Sequence, residues 1–372
     1  MNKRVLVLLS SPIASRTAGV SRYAREHGWH LMFQDRLGFS HPFDWIGDGV
    51  IATIRGDKRE LAFLHHLAKL GVPIVDLTFA RPAFPCARVS CDHVADARLA
   101  AEHFLEHNYR SLVFFSIDWG NVQERLYRGF SEKTAVGRWV FSLDCPKVHW
   151  NDWGAVSRWL EGKFASAGKP LGALTYAQGE AVQLLTAAQR LGIRVPEDFG
   201  IIAGGEDKVL LENQPVPITA VDSDMGRGAY EAAALLQRLM DGEPMPSQVV
   251  EIPPKRIIER RSTDATVATD PLVCAAIEHF VAGLQSGVNV ESAAQFLGVS
   301  RNTLNRRITA ELGHSASAEL QRQRLMLAKR LLANSNNKVG YVARMCGFSS
   351  ASHLGSALRA DCGLSPMAFR KM

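Results

Sequence analysis

The sequence predicts a two-lobed α/β module, built on two Rossmann-like parallel sheets, followed by an all-α domain with two helix-turn-helix units. Three observations carry this. Short apolar runs alternate with amphipathic stretches over the first 260 or so residues, a helix–glycine turn–capped helix pattern occurs twice in the last hundred, and charge divides unevenly between the two parts. At 372 residues the chain also exceeds what one hydrophobic core organises.

In chain order, the predicted strands are Arg4–Leu9, His30–Gln34, Gly49–Ile54, Pro73–Leu77, Ala87–Cys91, Leu112–Ile117, Trp139–Ser142, Gly172–Tyr176, Gly200–Ala203 and Ile218–Val221. Helical patterns such as Lys58–Leu70, Val94–His107, Gly179–Leu191 and Met225–Met240 separate them. This alternation predicts parallel sheets covered on both faces. Ten strands are too many for one half, so two lobes with a cleft between them are expected. Ligands of such sheets bind beyond the strands' carboxyl ends, which points to the loops Ser10–Arg16, Ile117–Arg128, Tyr176–Gly179, Gly204–Lys208 and Asp222–Gly226. Residues 253–271 carry prolines, charges and small polar residues and read as an exit and linker ending at Asp270-Pro271. The expected division is therefore a module over 1–262, a linker over 263–271 and a helical domain over 272–372.

In that domain, Glu291–Leu297 predicts a short helix, Gly298–Ser300 a turn with Ser300 as N-cap, and the following residues a second helix. Ala293, Ala294, Leu297, Val299, Leu304 and Ile308 fall where two crossing helices bury them. The exposed face keeps Arg301, Asn302, Asn305 and Arg306, side chains suited to guanine and adenine edges and to phosphates. About fifty residues on, Val339–Phe348 and Ser349–Arg359 repeat the unit, with Ser350, Ser352, His353 and Ser356 on the outer face. Ser317–Asn334 between them predicts a long helical spacer. Two such reading helices about 34 Å apart enter successive major grooves on one side of a duplex.

Residues 271–372 hold 12 Lys+Arg against 5 Asp+Glu, a net +7, whereas the other 270 residues hold 31 and 32, a net −1. The excess positive charge lies in the segment with the paired units, as phosphate contact requires. The near-neutral first module, without a basic cluster in its sequence, points to a small neutral polyhydroxylated ligand. Six cysteines without C-x-x-C spacing fit a reducing compartment. The apolar run Val5–Leu9 is too short for a secretory signal and no stretch approaches a membrane span, so a cytoplasmic protein is expected. Phosphate-binding glycine fingerprints and the G-x-S-x-G elbow are missing, which argues against an enzyme and its cofactors. His103-Phe104-Leu105-Glu106-His107 matches H-x-x-E-H, a zinc-protease pattern. Ala101, Phe104 and Leu105 make an ordinary core stripe around it, so a solvated helix edge without metal is the expectation.

The tail G-L-S-P-M-A-F-R (Gly363–Arg370) and M-C-G-F-S-S (Met345–Ser350) resemble the closing and second-turn motifs of the AraC/XylS-type DNA-binding domain. Residues 1–262 resemble the two-lobed, periplasmic-binding-protein-like sensor of LacI-type regulators. Arg16–Trp29, Asp44–Ala52, Ala100–His107 and Ile257–Asp264 are similar to regulators of the XylR, xylose-operon activator type. The resemblance spans essentially the whole chain. It implies a ligand-gated transcription regulator, double-stranded operator DNA, a sugar effector, RNA polymerase as partner and a homodimer. One departure stands out: relatives carry an aspartate in a G-[IVF]-D-[ND] pattern where this chain has A-G-G-E-D, Ala203–Asp207. Gly205 takes the aspartate's place, leaving Glu206 or Asp207 to supply a carboxylate.

For the effector, the expected side chains are Arg16, Asp118, Trp119, Arg125, Glu206 and Asp222. An arginine fork and carboxylate grip hydroxyls, and an indole covers an apolar sugar face. The competing expectation is a solute receptor or sugar-metabolising enzyme with an appended helical tail. The paired helix-turn-helix units weigh against it.

Overall fold

A computed structural model describes residues 2–9, 13–35, 45–109, 111–117, 120–134, 141–143, 153–167, 170–264, 268 and 270–370. The chain forms two compact units, Met1–Thr263 and Asp264–Met372.

In the first unit the chain runs β1 (Arg4–Leu9), α1 (Ala14–His27), β2 (His30–Asp35), β3 (Gly49–Ala52), α2 (Lys58–Lys69), β4 (Ile74–Asp76) and β5 (Ala87–Cys91). It continues through α3 (His93–Glu106), β6 (Ser111–Phe115), α4 (Asn121–Thr134), β7 (Phe141–Leu143), α5 (Trp153–Ala167), β8 (Leu171–Thr175) and α6 (Gln178–Arg190). β9 (Phe199–Ala203), α7 (Lys208–Glu212), β10 (Thr219–Asp222), α8 (Met225–Met240), β11 (Val250–Ile252) and β12 (Arg256–Ile258) complete it. One sheet has the order β11-β5-β4-β3-β1-β2 and is parallel throughout. The other has the order β12-β10-β9-β8-β6-β7, parallel except for β12 on β10.

Each sheet is the core of one lobe, and β1 shows why its sequence is apolar without interruption. Val5, Val7 and Leu9 pack with Val20 of α1 and Ala229, Ala232 and Leu236 of α8. Leu6 and Leu8 face the other way, onto Phe63, Leu64 and Leu67 of α2. A strand buried on both faces needs apolar side chains at odd and even positions alike. In the second lobe, Val113 and Phe115 of β6 and Leu171 and Ala173 of β8 pack with Leu184, Leu185 and Ala188 of α6.

The backbone passes between the lobes three times: from β5 into α3, from β10 into α8 and from β11 into β12. These passages are tied to one another. Asp92 N donates to Ile252 O at 2.8 Å, and Lys255 N to Asp222 O at 2.7 Å. Pro253 and Pro254 therefore lie between two three-residue edge strands, one in each lobe, rather than in an exit segment. Ser262 and Thr263 are fully buried in the first unit. The side chain of Ser262 donates to Ile201 O and accepts from Thr219 N, so the expected linker begins one residue inside the folded module.

The second unit contains α9 (Pro271–Gly283), a 3-10 turn (Leu284–Ser286), α10 (Val290–Phe296), α11 (Arg301–Leu312), α12 (Ala316–Asn334), α13 (Val339–Met345), α14 (Ala351–Cys362) and α15 (Pro366–Arg370). α9 is an element the sequence reading did not separate. Asp270 is its N-cap, accepting from Leu272 N, and Pro271 occupies the first turn. One core joins Val273, Ile277 and Phe280 of α9 to Ala293, Leu304 and Ile308; a second joins Leu325 and Leu332 of α12 to Val342, Phe348, Leu354 and Leu358. Spanning 19 residues, α12 supplies both cores, so one rigid rod of about 28 Å at 1.5 Å per residue carries the two units.

Candidate functional site

Helices α11 and α14 are built alike. Each has 12 residues, a serine N-cap and a glycine in the left-handed conformation at its end. Ser300 accepts from Thr303 N and Ser350 from His353 N, both at 3.1 Å; Gly313 and Gly363 have φ of 77° and 74°. Glycine turns at Gly298 and Gly347, φ 67° and 76°, precede them.

Basic side chains of this unit fall into two groups. Arg307 pairs with Asp270, Arg322 with Glu319, Lys329 with Asp361 and Arg330 with Asp264. Arg324 donates to Val288 O at 3.0 Å, and Arg370 to Asn337 O. These groups are committed to the fold. By contrast, Arg301, Arg306, Lys338, Arg344 and Arg359 carry no ion pair or side-chain hydrogen bond among the described residues. Arg301 and Arg306 are exposed on α11, Arg344 and Arg359 on α13 and α14. The unpaired charge is thus left on the helix-turn-helix units, where phosphate oxygens can take it up.

Among the expected reading residues, Arg301, Asn302, Arg306, Ser352 and Ser356 are exposed and unengaged. Asn305 is different: its side-chain oxygen accepts from Ala316 N at 3.0 Å, closing the start of α12. Ser350 is occupied as a cap, and His353 Nδ1 lies 3.1 Å from Ser349 Oγ. Arg344 and Arg359, exposed and without an ion pair among the described residues, are further candidates; both lie in the unit's helices in the sequence, and the signal for them is their charge in the basic segment.

Between the lobes of the first unit lies a cleft of about 670 Å3, within the range of small-molecule sites. The first lobe contributes Arg16, Arg55, Thr78 and Arg81; the second contributes Asn121, Gln123, Tyr176, Gln178 and Gly205. His93, Asp96 and Ser223 line it at the passages. Asp96, almost wholly buried, accepts from Ser223 Oγ at 3.0 Å, and His93 Nδ1 lies 3.4 Å from it. Glu180 accepts from Ile117 N, Ser116 Oγ and Ala177 N at 2.8, 3.0 and 2.9 Å. Burial pushes its carboxyl up to about 7 against the pull of those donors.

Of the expected effector residues, Arg16 lines the cleft. Asp118 and Trp119 lie outside the described residues. Arg125, Glu206 and Asp222 line it nowhere, each for a visible reason. Arg125 pairs with Glu251 of β11 and lies over the Phe79 ring at 5.0 Å to its centre. Glu206 is held by Arg260 at 2.7 Å, and Asp207 caps α7 by accepting from Leu210 N. Asp222 accepts from Asp224 N at 3.1 Å within a passage between lobes. Neither Glu206 nor Asp207 therefore supplies the carboxylate expected near Gly205, whose φ of 81° keeps the backbone in the left-handed region.

The expectation of a cleft without basic charge is also corrected. Arg16, Arg55 and Arg81 are far apart in sequence but follow β1, β3 and β4, neighbours in one sheet. All three loops follow predicted strands, and the carboxyl-end rule, applied after Gly49–Ile54 and Pro73–Leu77 as it is after Arg4–Leu9, reaches Arg55 and Arg81 as well as Arg16.

The H-x-x-E-H histidines are buried, not a solvated edge. His107 Nδ1 donates to His103 O at 2.7 Å and its Nε2 faces Glu259 Oε1 at 2.9 Å; His103 Nε2 lies 2.8 Å from Thr263 Oγ1. They pin α3 to the segment that ends the first unit. Among the described residues no helix is long and apolar enough to cross a membrane.

A two-lobed ligand-binding fold joined to paired helix-turn-helix units defines a DNA-binding transcription regulator. Residues 101–263 match a periplasmic binding protein-like domain and residues 293–372 a helix-turn-helix domain. The chain is homologous to the xylose operon regulatory proteins: that of Escherichia coli K12 is 27% identical over 368 residues, covering 95% of this chain and 92% of the relative. The Haemophilus influenzae counterpart is 22% identical, covering 95% and 93%. A solved structure of the xylose-binding transcription activator XylR matches with a TM-score of 0.62 and 25% identity, over 100% of this chain and 98% of that one. These homologues are transcription regulators, not enzymes, and the chain is a regulator.

Proposed function

We propose that the chain is a cytoplasmic, effector-gated activator of a carbohydrate-utilisation operon. In this reading it binds operator DNA as a homodimer and contacts RNA polymerase. The observation that carries the proposal is one chain holding both a cleft lined from two lobes and exposed, unpaired arginines on two capped helices. The cleft takes a small polyhydroxylated molecule. Thr78, Asn121, Gln123, Tyr176 and Gln178 offer donors and acceptors for hydroxyls, and the names of its homologues support a sugar. The missing carboxylate at Gly205 separates this effector from xylose.

A ligand moves the lobe equilibrium only as far as it prefers one arrangement over the other. Residues 259–263 leave the second lobe directly and continue into the DNA-binding unit, so they are the covalent route for the signal. Thermal-shift screening of the whole chain against pentoses, hexoses and their acids tests the cleft, since a ligand of the folded state raises apparent stability. Mobility shifts on the adjacent promoter test the rest: the whole chain retards the operator, and a chain ending at Thr263 loses that binding entirely. Specific retardation by the truncated chain overturns the assignment.

A further inference from the structure

The topology of the first lobe gathers three arginines on one wall of the cleft. Arg16 begins α1 after β1, Arg55 follows β3 and Arg81 follows β4; these strands are adjacent in the order β4-β3-β1. Among the described residues no carboxylate lies within ion-pairing distance of any of them. Among the same residues the side chains of Arg16 and Arg55 have no hydrogen bond, and that of Arg81 donates only to the carbonyl of Arg55, at 3.0 Å.

Among the described residues two acids line the same cleft: Glu180 is held by internal donors, and Asp96 is engaged through Oδ2 only, its buried Oδ1 having no hydrogen-bond partner there. Glu180 is surrounded by Ile117 N, Ser116 Oγ and Ala177 N, and Asp96 by Ser223 Oγ and His93. On the opposite wall the described residues Asn121, Gln123, Tyr176 and Gln178 are polar and uncharged, and Gly205 presents no side chain. A neutral sugar leaves this row of three guanidinium groups, Arg16 partly buried and Arg55 and Arg81 exposed, without an ion-pair partner among the described residues. An anion satisfies them, because the planar guanidinium fork matches the paired oxygens of carboxylate and phosphate.

Building on the effector-cleft reading above, we infer that the effector is a small polyhydroxylated anion, a sugar acid or sugar phosphate. The arginine wall of the first lobe holds its charged group, and the amide and hydroxyl wall of the second lobe holds its hydroxyls. The deficit at Gly205 fits this division, since a carboxylate there faces an anionic ligand with like charge.

Calorimetry on the whole chain with matched compounds tests the inference. The probes are D-xylose, D-xylonate and D-xylose 5-phosphate, with D-glucose, D-gluconate, D-glucuronate and D-glucose 6-phosphate as the hexose set. Within a binding set, an acid or a phosphate binds at least tenfold tighter than its parent sugar, and the member that binds distinguishes the two sources of charge. Arg55→Gln and Arg81→Gln each reduce the anion's affinity about tenfold and leave the parent sugar's affinity unchanged. If the parent sugar binds as tightly as its acid and its phosphate, the anion inference falls while the effector cleft stands. If no member, neutral or charged, binds at millimolar concentration, both fall. Circular dichroism of the two variants separates lost binding from lost folding.

Discussion

Asn305 and Arg306 are neighbours on α11 with opposite employment. Arg306 has an exposed, unpaired guanidinium, whereas the Asn305 oxygen closes the first turn of α12 through Ala316 N. Arg306→Ala is expected to cost about 1–3 kcal/mol of operator binding, with the loss concentrated at one base pair. A loss equal across all sequences assigns it to phosphate. Asn305→Ala is expected to lower the stability of the DNA-binding unit by about 1 kcal/mol and leave base preference unchanged. Binding-site selection and thermal unfolding on the same variants check both. The sequence shows that asparagine and arginine share this helix, but not that the exposed Asn305 reaches the first turn of the next one, because that helix's entry is a three-dimensional event. Glu180 gives a second residue-scale expectation. Its carboxyl holds a proton to about 7 in the folded chain and releases it near 4.5 when unfolded. The folded state therefore binds more protons between these values, and this group's contribution makes stability fall as pH rises from about 4.5 to 7. The contribution is on the order of 2–3 kcal/mol at neutral pH. Glu180→Gln removes that slope from denaturation midpoints measured at pH 5.5 and 7.5. It also lowers the stability at pH 5.5, because its amide nitrogen cannot accept from Ala177 N. An unchanged slope contradicts the assignment.

At the scale of elements, legibility followed burial. β1 is legible to the residue, since a strand covered on both faces is an apolar run, Val5–Leu9, bounded by polar residues; β5 is legible through its alternation, with Ala87, Val89 and Cys91 apolar about Arg88 and Ser90. β11 and β12 escaped because three-residue edge strands beside Pro253-Pro254 bury too little to leave a pattern. α9 escaped although Asp270-Pro271 is a helix start, because the same two residues also suit the end of a linker. The close approach of α1 and α8 was equally hidden. A Cβ placed on Gly19 comes within 2.2 Å of the Gly226 carbonyl oxygen and 2.9 Å of the Ala229 Cβ. Gly19→Ala must therefore push the helices apart, at an expected cost of about 1–3 kcal/mol. Arg16 lies one turn earlier on α1, so the same change withdraws it from the cleft wall. Thermal unfolding together with effector titration checks this; a variant with wild-type stability and affinity shows that the helices absorb the methyl group.

For the whole molecule, the decisive correction concerns Arg125, which sequence alone placed against the effector. It arises from α4 in the second lobe and reaches Glu251 on β11 and the Phe79 ring, both in the first. It is a strut between lobes. A strut and a ligand contact differ in measurable ways. Removing a contact weakens binding whether or not its neighbour is present. Removing either end of a strut changes how often the lobes occupy this arrangement, and removing both changes little more. The pair is partly exposed, at 20% for Arg125 and 38% for Glu251. Solvent screening then limits its worth to about 1 kcal/mol or less, a factor of about five in a two-state equilibrium. Arg125→Ala, Glu251→Ala and the double variant are accordingly expected to shift the effector midpoint for operator release or activation by similar, few-fold amounts. Effector-free chains carrying these changes should keep wild-type base preference, since the reading helices lie elsewhere in the sequence. A loss confined to Arg125→Ala, more than tenfold and additive with Glu251→Ala, returns Arg125 to the ligand. Coupled losses leave it as the side chain that sets how readily the lobes move.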